Sequence, residues 1–309
     1  MGQALLMSRW TAADVPDQSG RTALVTGANS GLGLHTTIAL ARRGARVLMA
    51  CRDAGRAEAA VRRVRREAPG ASIELVTLDL ASLASVEAAA ADVAGRTSAL
   101  DVLVDNAGVM APPRTTTTDG FELQLGTNHL GHFALTGRLL PLLLAAPAPR
   151  VVVVSSGAHR MGRIAFDDLQ SERSYSRWGA YGQSKLANLL FVRELDRRAA
   201  ATPLLAVAAH PGYAATHLQS GQGSPLLEAL MKVGNVLVAQ SDAAGAWPSL
   251  YAATMPDVRR GDYWGPALAE LRGTPKRVGR ARTAEDDAVA RRLWVESERL
   301  TGVPFPLPG

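Results

Sequence analysis

Tyr181 and Lys185 are the pair of residues whose types and spacing point most directly to chemistry. They lie four positions apart, immediately before a predicted helix over 186–200, and at helical spacing two such side chains share one face. An ammonium beside a phenol favours the phenolate, so we expect Lys185 to lower the pKa of Tyr181 from about 10 toward the working pH. Such a phenol can protonate a carbonyl or deprotonate an alcohol.

Two serines, Ser155 and Ser156, follow the apolar run Arg150–Val154, which predicts a buried central strand. In open α/β sheets, ligands bind outside the carboxyl ends of the strands. Both hydroxyls are therefore expected at the edge where a substrate would bind, although a pair of serines at a strand end is more often a turn signal. Their position alone leaves either serine open as the catalytic one.

A glycine-rich turn, T-G-A-N-S-G-L-G over residues 26–33, connects a predicted strand at 22–26 to a predicted helix at 31–43. Glycine lets the chain turn tightly and lets backbone N–H groups approach a phosphate, and a helix N-terminus favours negative charge. The order of strand, turn and helix predicts a dinucleotide site. The alternative is a glycine turn that binds nothing.

The end of the second predicted strand, 46–51, bears on the choice of dinucleotide. An acidic residue here would bind the ribose 2′-hydroxyl of NAD, whereas an arginine accommodates the 2′-phosphate of NADP. Arg52 is the first charge after the strand, and a guanidinium matches phosphate geometry. Asp53 follows directly and could accept from the ribose instead. We favour NADP(H) on the position of Arg52.

Two further strand ends carry residues suited to the same ligand. Asp79 and Leu80 follow the third predicted strand, with capping of the next helix as the alternative for Asp79. Asn106, Ala107 and Gly108 follow the fourth strand, where small residues would let the backbone approach a cofactor and the asparagine would pin the strand end. Because ligands bind outside the carboxyl ends of the strands, these positions are expected at the ligand-binding edge of the sheet.

In chain order, the glycine turn, N-A-G at 106–108, Y-x3-K at 181–185 and H-P-G at 210–212 resemble the motifs of the short-chain dehydrogenase/reductase family. The resemblance covers about residues 20–300, with Asp105 as a departure, since the family pattern has asparagine there. The 24 residues between Ser156 and Tyr181 form a longer segment than in many members. This length is similar to the retinol-dehydrogenase-like and protochlorophyllide-reductase-like branch and predicts a loop beside the substrate.

The resemblance implies a single-domain α/β Rossmann fold with a doubly wound, mostly parallel sheet of seven strands. It places an N-terminal extension at 1–19, the NAD(P)-binding domain at 20–303 with a substrate lid at about 217–240, and a tail at 304–309. The hydrophobic share of 47% supplies enough material for one core.

The resemblance also implies roles for four residues. Tyr181 would act as the acid in reduction and the base in oxidation, while Lys185 would tune it and bind the nicotinamide ribose. Ser156 would hydrogen-bond the substrate oxygen, and Asn128 would bind a water of the proton relay. The cofactor-binding residues implied in this way are Gly27, Asn29, Ser30, Gly31, Leu32, Gly33, Arg52, Asp79, Leu80, Asn106, Ala107, Gly108, Tyr181, Lys185, Pro211, Gly212 and Thr216.

His129 and His132 flank Asn128 at a spacing of three, which two metal ligands on one helix face could use. No third ligand follows at a suitable spacing, so no metal is expected. The single cysteine, Cys51, leaves no intrachain disulfide and fits a reducing cytoplasm.

The implied activity is NADP(H)-dependent hydride transfer between an alcohol and an aldehyde or ketone. Leucine, methionine and valine in the lid indicate a lipophilic small-molecule substrate, with dimer or membrane-surface contact as alternatives there. Members of the family are often a homodimer or homotetramer, and this branch is sometimes monomeric. Two alternative functions are a redox-inactive NADP sensor, which would usually lack the tyrosine or the lysine, and a sugar-nucleotide epimerase, whose G-x2-G-x2-G turn conflicts with Ser30.

The formal net charge of +6 comes almost entirely from arginine. The arginines are spread along predicted helices such as 58–68 and 284–300 and are not clustered with aromatic residues, so solvated helix faces explain them better than a nucleic-acid surface. Residues 1–20 lack the pattern of a signal peptide, and no apolar run approaches the ~20 residues of a membrane span. A cytoplasmic protein without a membrane span is expected.

Overall fold

Eight strands form one sheet in the computed structural model, which describes residues 10–212 and 241–307. The strands are β1 (Thr22–Thr26), β2 (Arg46–Cys51), β3 (Ile73–Thr77), β4 (Val102–Asp105), β5 (Arg150–Val154), β6 (Leu205–Ala209), β7 (Tyr263–Leu268) and β8 (Arg272–Arg277). Their order across the sheet is β3-β2-β1-β4-β5-β6-β7-β8. Neighbours from β3 to β7 pair in parallel, and β8 runs antiparallel to β7.

The helices that connect the strands cover both faces of the sheet. They are α1 (Gly31–Arg42), α2 (Ala54–Glu67), α3 (Leu83–Arg96), α4 (Leu123–Leu125), α5 (Gly131–Ala145), α6 (Arg177–Arg198), α7 (Asp242–Gly245), α8 (Trp247–Thr254) and α9 (Asp287–Thr301), with short 3₁₀ turns at Ala12–Asp14, Gly157–Met161 and Arg282–Glu285. Apolar residues of α3, α5, α6 and α9 form a core on one face, and those of α1, α2 and α8 form a core on the other. The central strands are buried on both faces, which explains their almost uninterrupted runs of valine, leucine and alanine.

The predicted fold class is confirmed, with one correction to the number of strands. The sequence predicts seven strands, and the structure adds β8 as the second strand of a hairpin with β7. Its sequence, Arg-Gly-Thr-Pro-Lys-Arg, carries no apolar alternation, because it is an edge strand on which proline and charged residues are tolerated.

The helix that carries the Y-x3-K motif begins earlier than predicted. α6 begins at Arg177, and the Ser176 hydroxyl caps it by accepting the Gly179 N–H. Tyr181 and Lys185 therefore lie inside its second and third turns, which holds both side chains on a rigid element.

The segment predicted to be the substrate lid, 217–240, lies outside the described residues, as does Thr216. The boundaries at 20 and 303 stay predictions. None of the helices in the described parts of the chain has the length and apolar character needed to cross a bilayer.

Candidate active site

The glycine turn brings β1, α1 and the end of β4 into close contact. Gly27 and Gly31 have positive φ angles of 66° and 50°, which a residue with a side chain rarely adopts. A Cβ on Gly33 would lie 2.3 Å from the Gly27 carbonyl oxygen and 2.6 Å from Asn106 Nδ2. The third glycine of the motif is therefore required for packing of the helix against the turn.

We predict that Gly33→Ala weakens dinucleotide binding at least about 10-fold and lowers the free energy of unfolding by about 1–3 kcal/mol, because the added methyl group displaces backbone atoms of the turn. Isothermal titration with NADPH and thermal unfolding would measure both effects. Gly95→Ala is the matched control, since a Cβ there meets nothing within 4 Å and alanine favours the helix. Equal affinities for the two variants would contradict the prediction.

The N-terminus of α1 is open toward the glycine turn. Within the described chain, no side chain caps its first residues: Ser30 is the N-cap residue and accepts no capping hydrogen bond. By contrast, α2, α3, α6 and α9 are each capped by an aspartate or serine side chain. Uncapped N–H groups at a helix N-terminus form a site for an anion such as a phosphate.

Thr26 and Asn106 fasten the ends of β1 and β4 together. The Thr26 hydroxyl accepts the N–H groups of Asn106 and Ala107, each at 2.9 Å, and Asn106 Nδ2 donates to the Thr26 carbonyl oxygen at 2.8 Å. These bonds fix the backbone at 106–108, which borders the cofactor edge.

A first cavity of about 450 Å³ lies against the glycine turn and the ends of β2, β3 and β4. Most residues predicted to bind the cofactor line it: Gly27, Asn29, Ser30, Gly31, Leu32, Arg52, Asp79, Leu80, Asn106, Ala107 and Gly108. Arg56, which the sequence reasoning did not identify, also lines it. The alternative that Asp79 caps the next helix is wrong, because Ser82 caps α3.

A second cavity of about 700 Å³ adjoins the first and contains the predicted catalytic groups. Ser156, Tyr181 and Lys185 line it together with Pro211 and Gly212. The two cavities share Leu32, Asn106, Gly108 and Val109 as wall residues, so they are adjacent. The structure therefore brings the predicted acid–base pair and the glycine turn to one continuous cleft at the carboxyl edge of the sheet.

The two serines at the end of β5 have different surroundings. Ser155 is buried, and its hydroxyl donates to the Lys185 carbonyl oxygen at 2.8 Å. The Ser156 side chain interacts with the Tyr181 phenol and accepts the Ala158 N–H at 3.2 Å. Ser155 thus donates a hydrogen bond to the backbone of α6, while Ser156 lies beside the Tyr181 phenol.

The predicted effect of Lys185 on Tyr181 is wrong for this structure. Burial raises the pKa of Tyr181 above its ordinary value, and the interaction with Ser156 opposes that rise. Burial also lowers the pKa of Lys185 to about 8. The lysine Nζ lies 5.8 Å from the centre of the tyrosine ring and donates to the Val154 carbonyl oxygen at 3.0 Å. Desolvation therefore outweighs the attraction, and Tyr181 remains a neutral phenol near pH 7.

Asn128 lies in a π-helical turn, Gly126–Leu130, between α4 and α5. Its Oδ1 accepts the Val109 N–H at 2.8 Å, and its Nδ2 donates to the Val109 carbonyl oxygen and to Ser184 Oγ, both at 2.9 Å. π-Helical turns are frequent at functional sites. The side chain thus joins the loop after β4 to α6, and its role in a proton relay stays a prediction.

The two histidines beside Asn128 are buried and separately bonded. His132 Nδ1 lies 3.0 Å from the Asn128 carbonyl oxygen and its Nε2 lies 2.9 Å from the Thr26 hydroxyl, whereas His129 Nε2 lies 2.9 Å from Ser297 Oγ. Burial lowers the pKa of His129 to about 4 and that of His132 to about 3. Within residues 10–212 and 241–307, no group of three or more histidine, cysteine, aspartate or glutamate residues is placed to hold a metal ion.

The wall of the second cavity includes residues that the motifs do not reveal: Met110, Arg160, Met161, Trp178, Glu270 and Leu271. Glu270 and Ala269 form the turn of the β7–β8 hairpin with φ angles of 59° and 51°. The Ala-Glu sequence lacks the asparagine or glycine that usually marks such a turn, so only the three-dimensional structure identifies it.

The geometry of this cleft defines a class of protein. A doubly wound parallel sheet carries an anion-binding helix N-terminus and, in the same cleft, a phenol with a serine and a lysine. Such a constellation is that of a dinucleotide-binding oxidoreductase.

Comparison with known proteins identifies the family. The family model described as short chain dehydrogenase matches residues 21–225. The chain is 44% identical to retinol dehydrogenase 14 of Mus musculus over 297 residues, covering 92% of this chain and 86% of the relative. It is 41% identical to retinol dehydrogenase 13 of Homo sapiens over 313 residues, covering 99% and 93%, and 42% identical to polyprenol dehydrogenase of Mus musculus, covering 93% and 86%.

Among solved structures, an uncharacterized protein from Mycobacterium paratuberculosis superposes with a TM-score of 0.80 at 46% identity, covering 97% of this chain and all of that one. A short chain dehydrogenase from Shigella flexneri complexed with NADP has a TM-score of 0.64 at 22% identity, covering 81% and 97%, which shows the shared fold. The chain belongs to the short-chain dehydrogenase/reductase family, in its retinol-dehydrogenase-like branch. It is an oxidoreductase of a family that binds nicotinamide cofactors.

Proposed function

We propose that this protein transfers a hydride between NADP(H) and a lipophilic alcohol or aldehyde/ketone, with Tyr181, Ser156, Lys185 and Asn128 as the catalytic residues. The observation that carries the proposal is that Tyr181, Ser156 and Lys185 line one cavity, and that this cavity shares walls with the cavity at the glycine turn. A dinucleotide that extends from the first cavity into the second would reach the acid–base group.

The fit of a dinucleotide rests on the first cavity and on the uncapped N-terminus of α1, which together offer space and N–H donors for a pyrophosphate. A nicotinamide bound there would supply or accept the hydride. The neutral Tyr181 phenol donates its proton to the substrate oxygen in reduction, and Ser156 donates a hydrogen bond to the same oxygen. Lys185 is 4% exposed, and its ammonium group, which donates to the Val154 carbonyl oxygen, places a positive charge beside this cleft.

The surroundings of Arg52 favour NADP(H) over NAD(H). Arg52 and Arg56 both line the first cavity. Asp53, the residue that could have bound the ribose of NAD, caps α2 by accepting the Arg56 N–H at 2.9 Å and lies 3.7 Å from the Arg56 guanidinium. Asp53 also lines this cavity, but with Arg52 and Arg56 beside it the three side chains carry a net positive charge, which favours a 2′-phosphate there.

We predict that Arg52→Ala lowers kcat/KM for NADPH by about 10- to 100-fold, the range for a lost charge-assisted hydrogen bond, and leaves kcat/KM for NADH almost unchanged. Steady-state kinetics with both cofactors would measure the ratio. Arg62→Ala is the matched control, since Arg62 is an arginine on α2 that lines neither cavity and pairs with Glu58 at 3.9 Å. A preference of the wild-type protein for NADH, or an unchanged KM for NADPH in Arg52→Ala, would contradict the assignment of NADP(H) as the cofactor.

The proposed substrate is lipophilic because the second cavity is walled largely by apolar side chains, including Met110, Met161, Trp178 and Leu271. Relatives named retinol dehydrogenase and polyprenol dehydrogenase, at 39% to 44% identity, support an isoprenoid alcohol or aldehyde. The cavity volume of about 700 Å³ lies within the range of pockets that bind small molecules.

A substrate screen tests this function. Retinal, long-chain isoprenoid aldehydes, short aliphatic aldehydes and simple ketones would each be incubated with protein and NADPH, and the loss of NADPH absorbance would be followed. We expect turnover of the long apolar aldehydes and little turnover of the short ones. If NADPH binds tightly while no carbonyl compound is reduced, the redox-inactive NADP sensor becomes the better account of the function. Product analysis after incubation with sugar nucleotides would test the epimerase alternative.

We also propose a cytoplasmic location and assembly as a homodimer or homotetramer. The buried free thiol of Cys51, the only cysteine in the chain, supports a reducing compartment. Light scattering of the purified protein would measure its assembly, and a monomer at all concentrations would overturn that part.

A further inference from the structure

His159 lies three residues beyond Ser156, on the 3₁₀ turn Gly157–Met161, and its side chain is 0% exposed. Its Nδ1 lies 2.7 Å from the Ser156 carbonyl oxygen, and its Nε2 lies 3.1 Å from the backbone nitrogen of Ala281. A carbonyl oxygen can only accept and a backbone N–H can only donate. The imidazole therefore carries its proton on Nδ1 and accepts at Nε2, so the two contacts select one neutral tautomer.

The environment of His159 keeps this imidazole neutral and fixed. Burial lowers its pKa below the ordinary value, and the nearby Arg160 and Arg280 lower it further, while the bond to Ser156 and the carboxylate of Glu270 act in the opposite direction. The ring of Tyr263 packs against it edge-on, with 5.6 Å between ring centres. The imidazole thus has one charge state, one tautomer and one orientation.

The turn that carries His159 also packs directly on the helix of the catalytic tyrosine. A Cβ on Gly162 would lie 2.3 Å from the Gly182 carbonyl oxygen, and a Cβ on Gly182 would lie 3.0 Å from the Ala158 carbonyl oxygen. The backbone of the 3₁₀ turn is therefore in direct contact with the backbone of α6 at Gly182, one residue from Tyr181. Any shift of the turn would change the distance between the Ser156 hydroxyl and the phenol.

We propose that His159 is a positioning residue of the reaction: its Nδ1–H holds the Ser156 carbonyl and thereby directs the Ser156 hydroxyl at the Tyr181 phenol. The bond from Ala281 to Nε2 anchors the imidazole from the segment after β8. The inference rests on the proposed function, since it concerns the alignment of that site, and it names a residue outside the four proposed catalytic ones.

Two amide variants separate the two contacts. His159→Asn keeps an amide donor near the position of Nδ1 and loses the acceptor for Ala281, whereas His159→Gln can keep an acceptor near Nε2 and loses the donor to Ser156. Both variants remove the ring and its packing against Tyr263. We expect His159→Gln to lower kcat by about 10- to 100-fold, the cost of a small misplacement of a catalytic group, with an unchanged KM for NADPH. His159→Asn should retain most of the wild-type kcat.

A merely structural role predicts a different pattern, with equal losses of thermal stability and equal kcat in the two variants. Equal kcat values, or a wild-type kcat in His159→Gln, would overturn the proposal. Nitrogen-15 NMR of labelled histidine gives a second test that does not need turnover, with the His159 resonances assigned by the variants. The expected result is a neutral ring protonated on Nδ1 at pH 7. A ring protonated on Nε2 or on both nitrogens would overturn the inference about His159. A substrate screen in which no carbonyl compound is reduced would count against the proposed function alone.

Discussion

Replacing Tyr181 by phenylalanine should lower kcat for carbonyl reduction by about 10²- to 10⁴-fold, the usual contribution of a positioned general acid. The phenylalanine ring retains the volume of the tyrosine, which is 8% exposed and packs edge-on against Trp178 at 5.9 Å. The loss is therefore expected in kcat, with the dissociation constant for NADPH almost unchanged. Single-turnover kinetics at the NADPH absorbance band, together with fluorescence titration of the cofactor, would measure the two quantities.

Tyr251→Phe is the matched control for this prediction. Tyr251 lies on α8, its hydroxyl donates to Asp257 Oδ2 at 2.8 Å, and it lines neither of the two cavities described above. The same chemical change at that position should leave kcat close to the wild-type value. Near-wild-type turnover in Tyr181→Phe would remove the phenol from the reaction and would transfer the role of proton donor to another group.

The raised pKa of Tyr181 bears on its proposed role as the acid. A phenol that stays protonated near neutral pH is ready to donate to a carbonyl in reduction. As a base in oxidation it must first ionise, and burial opposes that step. The protonated phenol therefore suits the acid step of the proposed reduction, whereas the direction of the overall reaction depends on the ratio of the cofactor forms.

Much of this site could be predicted from the sequence because its residues occur in short local motifs. The spacing of Tyr181 and Lys185 places both on one face of α6, and the polar residues after each parallel strand meet at one edge of the sheet. Strands such as β5 are recognisable because burial on both faces demands a continuous apolar run. These features depend on the chain within a few residues of each motif.

The features that could not be predicted depend on contacts between distant parts of the chain. The Asn128 amide is occupied by Val109 and Ser184, which lie 19 and 56 positions away. The pKa of Tyr181 is raised and not lowered, because burial and not the neighbouring amine dominates the shift. The β8 strand was missed because an edge strand needs no apolar pattern.

The second large effect concerns Asp105, the residue that stands where the family pattern has asparagine. It lies at the end of β4 and is 1% exposed. The Thr136 hydroxyl donates to its Oδ2 at 3.0 Å, and its Oδ1 has no hydrogen-bond partner within the described chain. Burial raises the pKa of this carboxyl to about 8, so it is protonated in the folded protein at neutral pH.

This pKa makes folding depend on pH in a definite direction. In the unfolded chain the carboxyl has a pKa of about 3.9, so between about pH 4 and pH 8 only the folded state holds the proton. The contribution to the free energy of unfolding is fully present below the unfolded pKa and falls by about 1.4 kcal/mol per pH unit until the folded pKa is reached. The total loss is on the order of 5 kcal/mol.

Asp105→Asn should remove this dependence, because an amide does not ionise and its oxygen can still accept from Thr136. We expect the free energy of unfolding of the variant, minus that of the wild type, to rise steadily from pH 5 to pH 8 and then level off. Chemical denaturation at matched pH values measures the difference, and the titrations of all other groups cancel between the two proteins. Thr136→Val removes the hydrogen-bond donor and raises the carboxyl pKa further, so this control variant should retain the steep dependence of stability on pH. Parallel stability curves for the wild type and Asp105→Asn would contradict the prediction, because they would show that Asp105 ionises normally in the folded state.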